Sequence, residues 1–173
     1  MAFIKQIDEQ GGDRAEATRA ALTYLQRRAR SEHETRAKLE SKGYSAEIIT
    51  QVLSRLREAS LINDARFAKD WVQARSRKAL GSRHIRKELR AMGVADVISN
   101  AALASLAEPD DPLDEDSPQS YAIAYARRCL RKLAGKPDDV IKHKLIQSLM
   151  RRGFSYDDAK SAASQAIERD GMD

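Results

Sequence analysis

Apolar residues recur along the chain at intervals of three and four, the spacing that places them on one face of an α-helix. The clearest example predicts a helix that opens at Ser45 and stops near Ala59. Similar spacing over most of the chain, with few glycines and few aromatic residues, favours an all-α protein. The predicted buried face of this first example consists of Ile48, Ile49, Val52, Leu53 and Leu56.

Two capping patterns before this helix predict two more helices. An N-cap side chain followed three residues later by glutamate satisfies backbone donors at a helix start. Asp13 with Glu16 predicts a helix that runs to about Ala29. Ser31 with Glu34 predicts a second helix directly after it. The first part of the chain is therefore predicted to form three short helices.

A phrase of leucine, three residues, glycine and an apolar residue occurs three times. Each glycine should end a helix, because glycine accepts the left-handed backbone that other residues resist. Intervals of 50 and 60 residues between the glycines indicate three units of roughly fifty residues. The copies are KLESKGYS with Gly43 and Tyr44, ELRAMGVA with Gly93 and Val94, and SLMRRGFS with Gly153 and Phe154.

The second and third units repeat the helix signals of the first. The second unit should open with Asn63 or Asp64 as its N-cap, and both residues are suited to that position. The further predicted limits are Ser82 before the next helix, a third helix from about Asp96 to Leu106, a start of unit three near Ser120, and a break at residues 135–139.

We therefore predict an all-α fold of three tandem three-helix repeats, stacked into an elongated, curved crescent with one concave face. The predicted boundaries are 1–12 for a flexible N-terminus, 13–60 for repeat 1, 61–107 for repeat 2, 108–118 for an acidic linker, 119–169 for repeat 3 and 170–173 for a flexible C-terminus.

Charge is distributed unevenly along the chain. The net charge is +5, but the predicted linker EPDDPLDEDSP carries six acidic residues and no basic one. The rest of the chain has 31 basic and 20 acidic residues, a net charge of +11. This balance indicates a polyanion or an acidic protein surface as partner. Solvated helices that simply carry many lysines and arginines are the alternative explanation.

The basic residues cluster at the ends of the predicted first helices and along the second helix of repeat 2. Arg28, Arg75 and Arg128 occupy equivalent positions, where an arginine could either favour the helix dipole and extend the core or, equally, bind a partner. Aromatic residues are predicted to occupy mainly core positions, so DNA contacts should be with phosphates. The candidate partner-binding and DNA-binding residues are Arg27, Arg28, Arg30, Arg75, Arg77, Lys78, Arg83, Arg86, Lys87, Arg90, Arg127, Arg128, Arg131, Lys132, Arg151 and Arg152.

The sequence offers no arrangement typical of an enzyme. Neither a nucleophile with its base nor a phosphate-binding glycine loop is evident. His33, His84 and His143 are predicted to be surface residues of the second helices, and equivalent positions of successive units lie too far apart to share a metal. We expect no catalytic residue, cofactor or metal site. A single cysteine and the lack of a signal peptide or long apolar run predict a cytoplasmic protein that does not enter a membrane.

Three segments, in this order and at this spacing, resemble the signature segments of the RecX family, bacterial regulators of the RecA recombinase. They are RARSEHETRAKLESKGY, LINDARFAKDWVQARSRKALGSRHIRKELRAMGV and LMRRGFS. The resemblance covers residues 15–106 and 120–168. The most specific matches are Asn63, Asp64, Phe67, Ala68, Trp71, Arg75, Gly81, Ile85, Leu89 and Gly93.

This resemblance implies a monomer that lies in the groove of the RecA–DNA filament and contacts more than one protomer. It implies inhibition of recombinase, ATPase and co-protease activities, with modest, sequence-independent binding of single- and double-stranded DNA. Ser60 departs from the family pattern, which has glycine there, and so does the acidic linker. A DNA-binding protein that acts without a recombinase, and a helical scaffold for another acidic protein, remain the alternatives.

Overall fold

The computed structural model describes residues 12–107 and 117–170, and in these ranges it contains helices and turns but no strand. The predicted all-α class is confirmed. The predicted flexible termini, residues 1–11 and 171–173, and residues 108–116 of the predicted linker lie outside the described residues. The helices are α1 (Gly12–Leu25), α2 (Glu32–Glu40), α3 (Ala46–Glu58), α4 (Asp64–Ser76), α5 (Ser82–Ala91), α6 (Asp96–Ala107), α7 (Pro118–Leu130), α8 (Asp138–Arg151) and α9 (Tyr156–Asp170).

Helix α1 differs from its prediction at both ends. It begins at Gly12, so Asp13 lies in its first turn rather than at the N-cap. It ends at Leu25 rather than near Ala29, although the next residues are good helix formers. Ser31 must adopt an extended backbone to cap α2, with φ −71° and ψ 162°, and the chain leaves α1 before that point. The cap of the next helix therefore overrides helix propensity here.

Other helix starts follow the predicted caps. The Ser31 hydroxyl accepts from the Glu34 backbone N–H at 3.1 Å, and the Glu34 carboxylate accepts from the Ser31 N–H at 3.2 Å, which confirms the predicted capping box. Asn63 rather than Asp64 caps α4, because its side-chain oxygen accepts from the Arg66 N–H at 2.9 Å.

Asp64 caps a different helix from its own. Its carboxylate accepts from the Glu32 backbone N–H, in the first turn of α2, at 2.8 Å. Burial raises the pKa of this carboxylate, the hydrogen bond from Glu32 lowers it, and the neighbouring charges of Glu32 and Glu34 raise it, with a net rise. Helix α7 also starts earlier than expected, since Ser117 caps it through the Ser120 N–H.

The three repeated glycines end helices as predicted. Gly43, Gly93 and Gly153 have φ values of +85°, +73° and +93°. After α8, the Phe154 N–H donates to the Leu149 carbonyl at 3.2 Å, which belongs to the bonding pattern of a glycine C-terminal cap. This local chemistry is what the repeated phrase encodes.

Among the described residues, 12–67 and 91–95 form one compact unit. Within it, the helices α1, α2 and α3 pack against one another around an apolar core. That core comprises Ala17, Ala21, Leu39, Ile49, Val52, Leu53, Leu56 and Ile62.

The described residues 68–90, 96–107 and 117–170 form the other unit. Its helices α7, α8 and α9 pack together, and alanines fill most of the α9 contact face, which allows close helix approach. The larger side chains of this core are Ile123, Leu130, Ile141, Leu145, Leu149 and Phe154.

At two of the glycine turns, the start of another helix packs directly against the turn. We call the contact of Ser31 and His33 with Met92 and Gly93 the first joint. There the Ser31 hydroxyl donates to the Met92 carbonyl at 2.5 Å. A Cβ atom on Gly93 would collide with the His33 side chain.

We call the contact of Gly81, Arg83 and His84 with Arg152 and Gly153 the second joint. The Gly81 N–H donates to the Arg152 carbonyl at 2.9 Å, and the Arg83 N–H donates to the Gly153 carbonyl at 3.1 Å. A Cβ atom on Gly153 would lie 2.6 Å from the His84 backbone nitrogen. The turn at Gly43, in contrast, has open space around its Cα.

Ser60 adopts a left-handed backbone with φ 55° at the end of α3, at the position where the family pattern has glycine. Relief of this conformation should outweigh the entropy that glycine adds to the unfolded chain, so we expect Ser60→Gly to raise the free energy of unfolding by about 0.5–1 kcal/mol. Urea denaturation measures this change. Ser60→Ala keeps the strained backbone and serves as control; equal stability of the two variants would contradict the explanation.

Candidate functional site

The predicted basic residues differ in what their side chains contact. One group is held by intramolecular contacts, and the other extends into solvent. Because a side chain that already has a strong partner is costly to recruit for binding, the two groups have different capacities to bind a partner.

Arg28 and Arg30 converge on one carboxylate. Arg28 donates to Glu34 at 2.6 Å and Arg30 at 3.2 Å, so the chain segment after α1 is tied to the first turn of α2. The Arg30 guanidinium also lies over the Tyr24 ring, 4.2 Å from its centroid. These two arginines therefore hold α1 and α2 together.

Arg75 has the same role between α4 and α5. Its Nε donates to the Glu88 carboxylate at 2.7 Å, and its guanidinium lies 4.2 Å from the centroid of the Trp71 ring. The Trp71 indole N–H donates to the same carboxylate oxygen at 2.8 Å. Arg28 and Arg75, predicted as equivalents, thus both link the first helix of a repeat to the second.

The Glu34 carboxylate accepts hydrogen bonds from Arg28, Arg30 and the Ser31 backbone N–H. Burial raises its pKa, but hydrogen bonds from Arg28, the Ser31 backbone N–H and Arg30 outweigh burial, and the pKa lies below its ordinary value. The folded state therefore favours the charged form. Sequence reasoning assigned Glu34 to the capping box alone and gave no role to Glu88.

Helix α5 carries basic residues opposite its buried face, as predicted. Ile85 and Leu89 are buried. Arg86 donates to the Asn100 side chain at 3.0 Å, and Arg90 forms an ion pair with Asp96 at 2.9 Å, so both connect α5 with α6. Arg83 and Lys87 are exposed on the same helix.

Arg152 crosses the second joint. Its guanidinium donates to the Ala79 carbonyl at 2.6 Å and to the Lys78 carbonyl. Both carbonyls belong to the turn after α4. It also lies over the Tyr125 ring at 4.4 Å from the centroid, where Arg128 approaches at 5.4 Å. All these partners are neutral, so Arg152 keeps its positive charge uncompensated by a carboxylate.

The prediction that aromatic residues sit in the core, apart from the basic residues, is wrong for three side chains. Tyr24, Trp71 and Tyr125 are only partly buried, and an arginine lies over each ring. The electron-rich face of an aromatic ring attracts a guanidinium, which explains the pairing. No periodicity in the sequence distinguishes such a ring from a core residue.

The remaining candidates are exposed except Arg127, which is partly buried. Arg77 and Arg127 interact with other groups of the protein. The other members have no ion pair or side-chain hydrogen bond with any residue in the described ranges. They are Arg27, Lys78, Arg83, Lys87, Arg131, Lys132 and Arg151.

The predicted surface positions of the histidines are confirmed, since His33, His84 and His143 are all exposed. Within residues 12–107 and 117–170 no cluster of three or more side chains suited to a metal occurs. None of the helices in those ranges combines the length and apolar character needed to cross a membrane.

Comparison with known proteins gives three consecutive family matches. The first three-helix domain of RecX matches residues 17–56, the second matches 63–103 and the third matches 115–162. Regulatory protein RecX of Corynebacterium efficiens is 37% identical, with 96% of this chain and 79% of that protein aligned. Regulatory protein RecX of Halorhodospira halophila is 34% identical, with 93% and 95% aligned.

A solved structure has the same fold. The crystal structure of RecX from Lactobacillus salivarius superposes with a TM-score of 0.80 at 24% identity, over 90% of this chain and 97% of that one. The predicted arrangement of three three-helix repeats is thereby confirmed.

The ion pairs of Glu34 should make stability depend on pH. Because its folded-state pKa is lowered, its contribution is present above the ordinary glutamate pKa of about 4.3 and is lost as the pH falls through the folded-state value. We expect Glu34→Gln to lower the free energy of unfolding by about 0.5–1 kcal/mol at pH 7 and to match the parent protein only once the pH is below the lowered folded-state pKa of Glu34.

Urea denaturation at a series of pH values measures this difference. Glu40→Gln removes an exposed carboxylate from the same helix and is the matched control, expected to change little at any pH. A constant difference for Glu34→Gln across the pH range would contradict the proposed ion pairs.

Proposed function

Because the chain belongs to the RecX family of regulatory proteins, we propose that it regulates a RecA recombinase by binding the RecA–DNA filament. In this proposal the chain lies in the filament groove, contacts more than one protomer, and inhibits recombinase, ATPase and co-protease activities. It also binds single- and double-stranded DNA modestly and without sequence preference. The succession of three matching RecX domains along one chain is the observation that carries the proposal.

Regulation by binding alone needs a difference in affinity between states. A protein that binds two states of a filament equally cannot shift the balance between them. Inhibition therefore requires that the chain bind a growth-blocked, disassembling or inactive filament more tightly than the active one. Such action needs no catalytic residue or cofactor in the chain, and we propose that it acts without either.

The exposed basic residues support the DNA-binding part of the proposal. Arg27, Arg131 and Lys132 follow or end first helices of repeats, and Arg83 and Lys87 lie on one face of α5. Exposed ammonium and guanidinium groups attract phosphates with little dependence on base sequence. Weak, salt-sensitive DNA binding is the expected result.

The test is a titration of the full-length protein into its cognate RecA on single-stranded DNA, with ATP hydrolysis followed at steady state. We expect a concentration-dependent fall in the hydrolysis rate, because filament subunits are removed or held inactive. An unchanged rate at every ratio of chain to RecA would overturn the proposal. A variant that cannot fold, verified by circular dichroism, controls for non-specific effects.

A DNA-binding protein that acts without a recombinase is the competing function. Raising the salt concentration separates the two, because phosphate contacts weaken steeply with salt. For a filament regulator, inhibition should persist at a salt concentration at which the chain alone no longer binds DNA. If inhibition and free DNA binding vanish together, competition for DNA explains the effect and the competing function is favoured.

A further inference from the structure

Exposed basic residues from three separate chain segments meet at the second joint. Lys78 follows α4, Arg83 lies in the first turn of α5, and Arg151 ends α8. Their backbones are fixed close together, since the Lys78 carbonyl accepts from the Arg152 guanidinium and the Arg83 N–H donates to the Gly153 carbonyl at 3.1 Å. Each of the three side chains is exposed.

Among residues 12–107 and 117–170, no carboxylate pairs with Lys78, Arg83, Arg151 or Arg152. Arg152 contacts carbonyl oxygens and a ring, whereas Arg28, Arg75 and Arg90 each pair with a carboxylate. The only acidic residue of α5, Glu88, is engaged by Arg75 and Trp71. Lys87 extends the charge by one helical turn beyond Arg83 on the same helix face.

The first joint is an internal control for what the fold itself requires. Counted from the repeated glycines, His33 corresponds to Arg83, and Ala91 and Met92 correspond to Arg151 and Arg152. The first joint therefore forms without lysine or arginine at these positions. The positive charges of Arg83 and Arg151 are therefore additions that helix docking does not need, whereas Lys78 corresponds to Arg28 and Arg152 itself bonds across the second joint.

The surroundings favour a phosphate backbone over an acidic protein surface. Protein–protein interfaces have an apolar centre from which charged residues are depleted. Four large apolar side chains are exposed within the described ranges, namely Leu61, Val97, Met150 and Tyr156. None lies in α4 or α5, and only Met150 lies in α8, so no apolar centre forms at the second joint. A DNA backbone instead presents closely spaced charges that separate lysines and arginines can each contact.

We infer that the second joint is a phosphodiester-binding site of the chain, formed by Lys78, Arg83 and Arg151 around the fixed charge of Arg152. The inference rests on the DNA-binding part of the proposed function and names the place where that binding occurs. The second joint brings these side chains together from the turn after α4, from α5 and from α8. Their charged groups bind the sugar-phosphate backbone and make no contact to bases.

The test compares two triple variants of the full-length chain. Lys78→Gln, Arg83→Gln and Arg151→Gln remove the site, while Lys38→Gln, Lys42→Gln and Lys136→Gln remove the same number of exposed charges elsewhere, at residues that are not candidates for DNA binding. Arg152 is left in place because it holds the joint together. Binding to a fluorescein-labelled oligothymidine is measured by fluorescence anisotropy at several salt concentrations.

We expect the site variant to weaken binding by about tenfold or more and to lower the slope of log K against log salt by about 2, since each phosphate contact on a single strand contributes about 0.7. The control variant should weaken binding by less than about threefold. Equal losses in both variants, no loss in the site variant, or no DNA binding by the parent protein would each overturn the inference. Urea denaturation of each variant verifies that it folds.

The RecA titration distinguishes failure of the site from failure of the proposed function. If the parent chain inhibits ATP hydrolysis but the site variant binds DNA normally, the inference fails and filament regulation stands. If the site variant loses DNA binding while the parent chain leaves ATP hydrolysis unchanged, the site stands and filament regulation fails.

Discussion

Docking of a helix start on a glycine turn is the contact on which much of this structure depends. The first N–H groups of a helix and the last carbonyls of another have no partners inside their own helices. At the second joint these unsatisfied groups bond to one another, through Gly81 and Arg83 on one side and Arg152 and Gly153 on the other. Because both partners are backbone groups, only a residue without a Cβ at positions 81 and 153 allows the required approach.

This docking also determines where charge is displayed. Arg83 and Lys87 point from α5, whose first turn is fixed by the joint, and Arg152 anchors the preceding turn through the Ala79 carbonyl. Arginines elsewhere in the chain are used differently, as Arg28, Arg30 and Arg75 pair with carboxylates that bind helices to each other. A high arginine content is thus divided between holding the fold and displaying positive charge.

Local features of the fold were predictable from the sequence, because caps and glycine turns act over a few residues. The Ser31 capping box, the buried face of α3 and the left-handed glycines are of this kind. The end of α1 was predicted too late, since the next residues favour helix but the chain leaves the helix before Ser31, which must be extended to cap α2. The cap that Asp64 provides to α2 was not predictable, since it joins residues 32 positions apart.

The candidate site was only partly predictable for the same reason. Charge and helical spacing identified Arg83, Lys87 and Arg151 as exposed. Nothing local distinguished them from Arg152 or Arg75, whose partners lie 73 and 13 positions away in the chain. Packing between distant chain segments decides which basic residues are free for binding. The spacing of residues along the sequence does not reveal that packing.

Comparing Gly153→Ala with Gly43→Ala tests most directly whether the second joint depends on close backbone contact. Both glycines have similar positive φ, so the strain of a left-handed alanine, about 1 kcal/mol, is common to the two variants. Only Gly153 has a neighbouring backbone in the way, and we expect its substitution to lower the free energy of unfolding by about 2 kcal/mol more, as in overpacked cores. Equal losses of stability in urea denaturation would contradict this account of the joint.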